Sequence, residues 1–371
     1  MRRNQLILGL VVLAALTALV FWGHDKIPFD FHEFRLQLVK ADWVKIAVAL
    51  ACIYAGYVIR SVRWALLLRH HKKVAVLSLV GTQVIGFTCV ALIGRVADLV
   101  RPYLVSKKTS LELSSQIAVY VVERLFDVGA VALIFSLAIL QVPQTDVVKA
   151  MAHSGHLASL SQNAPGTAAF IFRYGGLVLT ALGALFLVGI RLIGGGIASL
   201  FETIFGLVSK KLGRSVGHKI RVFRSGLDTM RSFTDFASTA SLSILMWVLI
   251  ALAYLEVMRA FVASPQLATI SITKCVLLMV VSGGASIVQL PVLGWFTQIG
   301  VVAAAIASFF GAAPEASTAC AATLLLVSFL GIVPVGLIWA QFEHVSLRKV
   351  AAESGHAGEE LSGTAAAEFP D

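Results

Sequence analysis

Charge is what this sequence has least of. Only 13% of its 371 residues are Asp, Glu, Lys or Arg, while 58% are hydrophobic and the mean hydropathy is +0.87. A soluble domain carries roughly 25% charged residues, so the two soluble domains suggested by the length are excluded. Cysteine is also scarce: Cys52, Cys89, Cys275 and Cys320 stand singly in apolar stretches and offer neither a disulfide framework nor thiolate-ligand spacing. His70, His71, His153 and His156 are too loosely placed for a metal site. P-loop, HExxH, GxSxG and Ser/His/Asp patterns are missing, so no catalytic residues and no cofactor are expected. The formal charge of +10 does not point to nucleic acid, because the basic residues lie between apolar runs, where they set topology and meet anionic lipid.

What is present is a series of apolar runs. Residues 5–22 carry no charge, follow Arg2 and Arg3, and read as a retained first helix with a cytoplasmic N-terminus. Residues 29–42 read as an interfacial helix and 43–59 as a span. A basic collar follows, from Arg60 and Arg63 to Lys72 and Lys73, with Arg60 and Arg63 expected to contact the inner leaflet. The uncharged stretch 74–94 is bounded on both sides by basic residues. It is either a re-entrant hairpin broken at Gly81, Gly86 and Gly94, or an ordinary span with a weak charge signal.

Further spans are expected over 111–140, 168–190, 237–260 and 316–342, with an outer loop at 141–167. The segment 191–236 is strongly basic, and Lys210, Lys211, Arg221 and Arg224 are expected to touch the inner leaflet. A second hairpin, entered from outside, is expected within 275–314 around the Gln289–Gly294 break. The expectation is therefore an all-α polytopic membrane protein with about six full transmembrane helices and two re-entrant helical hairpins. The membrane domain covers 1–350, with inverted-repeat halves at about 43–140 and 237–342, both termini cytoplasmic, and a disordered tail over 351–371.

Three clusters put polar groups where hydropathy says membrane. In the first, Arg95, Asp98 and Arg101 step by three before Pro102, expected to stop or bend the segment. The arginines suit a phosphate, although a surface loop with ordinary ion pairs gives the same pattern. In the second, Glu123 and Asp127 share one helix face, with Arg124 within reach of Asp127. Ionised groups inside a span need a partner or a wet cavity, so this cluster serves as structural glue, as a site, or as both. The third is the neutral break with Gln289, Pro291 and Gln298, where half-helix ends can meet a head group. Glu256 and Arg259 read as a local pair.

The run Ile93–Pro102, followed by Val122–Asp127, resembles the signature of the lysylphosphatidylglycerol synthase transmembrane-region (flippase-like) family. Arg60–Trp64 is similar to that family's early Arg–Trp segment, and Gln289–Gly294 to its later Pro/Gly-rich break. The chain departs from the family at Ala97-Asp98, where Gly-Glu is usual. The resemblance implies a module that translocates lipids, fused in some members to a soluble aminoacyl-transferase domain. Too few residues follow the last expected span for such a domain, so aminoacyl-lipid synthesis is not carried over. The expected function is translocation or binding of a lipid with an anionic or glycosylated head group across the inner membrane. The alternatives are an accessory subunit of an envelope-biosynthesis complex or an integral-membrane lipid-linked transferase. Expected partners are membrane lipids, with a second copy of the chain or an envelope-biosynthesis protein as protein partners.

Overall fold

A computed structural model describes residues 29–142, 232–285 and 293–355, with short parts of 170–185. The expected helices at 5–22 and 168–190 and the basic segment 191–236 lie wholly or largely outside the described residues. Everything described is helix, turn or loop, without a strand, and the protein is a polytopic helical membrane protein. Among the described residues, Trp43–Leu68, Val76–Ile93, Phe233–Ala260 and Pro314–Phe342 are long and apolar enough to cross a bilayer. Large apolar side chains such as Val44, Leu77, Leu137, Leu245, Phe309 and Ile338 face outward, as lipid solvent requires.

Helix α1 (Phe31–Val39) is capped by the Asp30 side chain and leads into α2 (Trp43–Leu68), capped by Asp42. Helix α2 does not end at residue 59. It continues through Arg60 and Arg63, and both are buried, at 8% and 1% exposure. The expected inner-leaflet role of Arg60 and Arg63 is thus overturned; their charges are matched within the bundle by Glu123 and Asp127.

Helix α3 (Val76–Ile93) runs unbroken through Gly81 and Gly86. The chain reverses later, at Gly94, whose φ of 95° and ψ of −170° lie in a region open essentially to glycine alone. A 3-10 turn (Arg95–Leu99) and α4 (Val100–Thr109) carry the chain back along α3. The two arms are about 27 and 25 Å long. Lys72 Nζ donates to the Thr109 carbonyl (2.7 Å), so the hairpin opens and closes at one end of the bundle. Pro102 does not stop the segment, since in the first turn of α4 its missing N–H has no helical partner to lose. Gly86 allows close approach: a Cβ there would collide with the Arg101 stem from α4.

Helix α5 (Leu113–Leu140) runs to the opposite end. Helix α6 (Phe233–Ala260) starts with a capping box between Ser232 and Asp235 and packs antiparallel along α2, with Asp42 N–H bonded to the Ala260 carbonyl (2.8 Å). After the short α7 (Pro265–Ala268), helices α8 (Ile272–Ala285) and α9 (Leu293–Phe310) pack together, flanking the undescribed residues 286–292. The Lys274 ammonium lies 5.8 Å from the Phe310 ring centroid, so this pair too is antiparallel. Thr273 Oγ1 donates to Gln141 Oε1 (3.0 Å) just past the end of α5. The second hairpin therefore opens at the end of the bundle opposite to the first.

The last span is α10 (Pro314–Leu325), a π-turn (Leu326–Leu330) and α11 (Ile332–Phe342). Pro334 cannot donate to the carbonyl four residues back, and the π-turn precedes it, closed by Gly331 N–H on Leu326 O. Helix α11 packs on α3 and α8 packs on α5, so the last span of each half leans on the hairpin of the other. The tail is ordered beyond residue 350: a helix over 347–355 lies on α4, with Val350 and Ser354 buried. Glu353 accepts from Tyr103 Oη (2.6 Å) and Lys107 Nζ (3.0 Å), which is why the expected disorder does not begin at 351.

Two outcomes follow. Gly86→Ala will lower the melting temperature of detergent-purified protein, whereas Gly129→Ala, with open space around its Cβ, will hold or raise it, since helix propensity favours alanine by up to about 1 kcal/mol. The Tyr103 and Lys107 contacts hold the Glu353 carboxyl below its ordinary value. Docking of 347–355 is therefore strongest above the usual glutamate range and weakens as pH falls through the lowered value. Protection factors of the 347–355 amides, corrected for the intrinsic pH dependence of exchange, will fall on acidification, and Glu353→Gln will lower them already at pH 7.

Candidate functional site

The site is built on one face of α5, where Glu123 and Asp127 stand a turn apart and are 1% and 3% exposed. Arg63 of α2 forks between them: Nη2 donates to Glu123 Oε1 (2.5 Å) and Nη1 to Asp127 Oδ1 (2.6 Å). Nη1 also donates to Ser243 Oγ of α6 (2.6 Å), so one guanidinium joins three spans. The second Glu123 oxygen accepts from Arg101 Nη1 (3.2 Å), which also donates to Gln83 Oε1 (3.0 Å). Planar, always-charged guanidinium suits this geometry, since each N–H has a fixed direction.

Aromatic rings supply the rest of the cations' surroundings. The Arg101 guanidinium lies 4.6 Å from the Phe87 ring centroid and 5.0 Å from that of Tyr120; Arg60 also faces Phe87 (4.9 Å) and Arg124 faces Tyr120 (5.1 Å). Arg60 and Arg124 reach Asp127 only at ion-pair range, 3.6 and 3.7 Å. Arg60 Nη1 and Arg124 Nε have no hydrogen-bond partner among the described residues. Arg63 and Arg101 are thus clamped, and Arg60 and Arg124 are held loosely.

Beside this cluster lies a cavity of about 240 Å³. Arg60, Arg124 and Asp98 line one end, and Tyr254, Ser282, Gln298 and Ser328 line the other. Both hairpins reach it, the first through Asp98 and the second through Ser282 and Gln298 on its two arms. Ser282 Oγ accepts from Tyr254 Oη (2.9 Å) and Gln298 Nε2 (3.2 Å). Ser328 and Phe329 enter the wall from the π-turn.

Of the residues expected at the site, Glu123, Arg124, Asp127 and Arg101 meet in the cluster, and Asp98 and Gln298 meet at the cavity. Arg101 belongs to the clamp and not to the cavity wall. The side chain of Arg95, and Gln289, Pro291, Lys210, Lys211, Arg221 and Arg224, lie outside the described residues. Arg259 does not serve a local pair with Glu256 alone; its Nε and Nη2 donate to the Ile270 carbonyl (3.1 and 2.9 Å). Sequence reasoning missed Arg60 and Arg63 as cluster members, together with Gln83, Tyr120, Ser243 and Ser282. Only the first two had a readable signal: cations at i and i+3 matching the Glu123/Asp127 pair.

A family model described as the lysylphosphatidylglycerol synthase TM region matches residues 6–338. The chain belongs to that family. No curated protein and no solved structure matches it significantly. The segments by which the sequence resembles the lysylphosphatidylglycerol synthase transmembrane-region family, Arg60–Trp64, Ile93–Pro102 and Val122–Asp127, are the ones the fold gathers at the cluster.

Arg63→Ala will strand two buried carboxylates at a cost of about 3–5 kcal/mol. The folded, monodisperse yield in detergent will collapse, and Arg63→Lys will not restore it, since one ammonium does not fork between Glu123 and Asp127. Arg63→Met combined with Asp127→Asn, which removes one charge of each sign and leaves Glu123 with Arg101, will recover part of the yield.

Proposed function

We propose that this protein is a lipid translocator of the inner membrane and not an enzyme. The observation that carries the reading is a net-positive group of buried and half-buried side chains beside a cavity that both hairpins reach. Arg60, Arg63, Arg101 and Arg124 face Glu123, Asp127 and Asp98, which leaves one positive charge among the described side chains. An anionic head group brings the missing charge; Arg63 Nε and Arg101 Nε and Nη2 are also unpartnered among the described residues, but of the four arginines Arg60 and Arg124 are the ones that line the cavity. Arg63, Arg101, Glu123 and Asp127 position them.

Hairpins opening toward opposite ends, each braced by the last span of the other half, support an inverted-repeat reading in which both hairpins are re-entrant. Rocking of one half against the other would expose the cavity to each leaflet in turn. The end carrying Lys72, Lys73, Lys107, Lys108, Arg348 and Lys349 is assigned to the cytoplasm, and the end carrying Asp30, Glu33, Asp42 and Glu315 to the outside. Both chain termini then lie in the cytoplasm.

The test is dithionite quenching of fluorescent phospholipids in proteoliposomes. Wild-type protein will accelerate leaflet exchange of an anionic lipid, and Arg60→Ala and Arg124→Ala will each slow it about tenfold at unchanged folded yield. Exchange no faster than in protein-free vesicles, for every lipid class tried, overturns the reading. Stable copurification of a partner in that event would favour the accessory-subunit alternative.

A further inference from the structure

The cavity is chemically two-ended, and this bears on which lipids it takes. Gly56 of α2 faces Met246 of α6 near its middle. Arg60 lies one turn from Gly56 toward the basic end of the bundle, and Tyr254 lies about 12 Å of helix from Met246 toward the other end. Among the described residues, the charged ones in the wall, Arg60, Asp98 and Arg124, cluster at the first end. The second end holds Tyr254, Ser282, Gln298 and Ser328, with Trp247 between, and no carboxylate or ammonium among the described residues.

The neutral end presents both kinds of hydrogen-bonding capacity. The Trp247 Nε1–H is a donor and the Gln298 carbonyl Oε1 an acceptor, and both are buried without a hydrogen-bond partner among the described residues. A head with several hydroxyls can serve both, one accepting from Trp247 and another donating to Gln298. An ammonium can only donate, leaves Trp247 unserved, and meets no carboxylate there while one surplus positive charge stands at the other end. A bare phosphate monoester satisfies the arginines and leaves the neutral end empty.

Resting on the translocation reading above, we propose that the site selects phospholipids whose phosphate carries an uncharged, hydroxylated head, a polyol or a sugar, and discriminates against amine-bearing heads. The phosphate lies between Arg60 and Arg124, and the hydroxyls meet Trp247, Gln298 and Ser282. Gln298 and Trp247 are then specificity-determining residues.

Two measurements separate this selection from translocation itself. In native mass spectrometry of the purified protein titrated with equimolar lipid pairs, phosphatidylinositol will outcompete both phosphatidylethanolamine and phosphatidic acid by about tenfold, the worth of one or two hydrogen bonds to buried groups. In proteoliposomes, the ratio of phosphatidylinositol to phosphatidylethanolamine exchange will show the same preference. Gln298→Leu will narrow it. Gln298→Glu, which puts a carboxylate at the neutral end, will shift it toward phosphatidylethanolamine, and that gain keeps the test informative if Gln298→Leu fails to fold.

Equal binding and exchange of all three lipids overturns the selection and leaves translocation standing. Exchange of none overturns translocation, and the binding ratio then judges the selection alone. Displacement of phosphatidylinositol by the same concentration of soluble inositol 1-phosphate would mean that the site takes a water-soluble phosphate, which overturns the assignment to lipid.

Discussion

An ionised side chain surrounded by hydrocarbon must bring its counter-charge with it, and the described structure is arranged around that requirement. Removing a carboxylate or guanidinium from water costs several kcal/mol even after relaxation. Arg63 meets the cost with two carboxylates on one helix face and a hydroxyl from a third helix. Glu123 divides its oxygens between Arg63 of α2 and Arg101 of the first hairpin. The carboxylate thereby fixes the hairpin's depth relative to the spans. Moving α4 by one turn, about 5.4 Å, would leave Arg101 and one Glu123 oxygen without each other.

This dependence also decides what a reader of the sequence can see. The Glu123/Asp127 pair is legible because helical spacing alone puts both carboxylates on one face. Arg60 and Arg63, three apart, also share a face, but hydropathy counts a cation as surface until its partner is known, and that partner lies some sixty residues along the chain. An end at residue 59 therefore falls nine residues, about two and a half turns, short of Leu68. The glycines of α3 pose a different problem. Gly94 permits a φ that other residues resist, whereas Gly86 makes room for an arginine stem, and composition does not distinguish the two uses. The polytopic helical class needed only apolar runs and was plain; the site needed tertiary pairing and was plain only in part.

The returning arm of the first hairpin was hidden for a related reason. Arg101, Lys107 and Lys108 make 100–109 look like an aqueous loop, yet Arg101 is 1% exposed. Its guanidinium stacks against Phe87 and Tyr120, and aromatic faces are a solvent that hydropathy scales do not count. At the other hairpin the arms are plainly apolar. The polarity that matters there is a few hydroxyls and amides that barely move a window average: Ser282, Gln298 and, from the π-turn ahead of Pro334, Ser328.

The same asymmetry bears on where the structure can give way. The first hairpin is bound to α5, α5 to α2 and α2 to α6 through charged hydrogen bonds between groups almost wholly out of water, and breaking an ion pair among them removes a buried ion's partner. The second hairpin meets the cavity wall through Tyr254–Ser282, a neutral hydrogen bond of the kind worth about 1 kcal/mol. At its outer end the polar contacts are Arg259 with the Ile270 carbonyl and Thr273 with Gln141, again without an ion pair among the described residues. Tyr254, Ser282, Arg259 and Ile270 all belong to the second half, whereas Arg63 to Ser243 ties the two halves together, so a shift of the second hairpin within its own half would part the neutral seam and keep the ionic one. On the translocation reading proposed above, a head group lodged in the cavity would stay with the arginines while its hydroxyl end changed partners, with the charged end as pivot and the neutral end as gate.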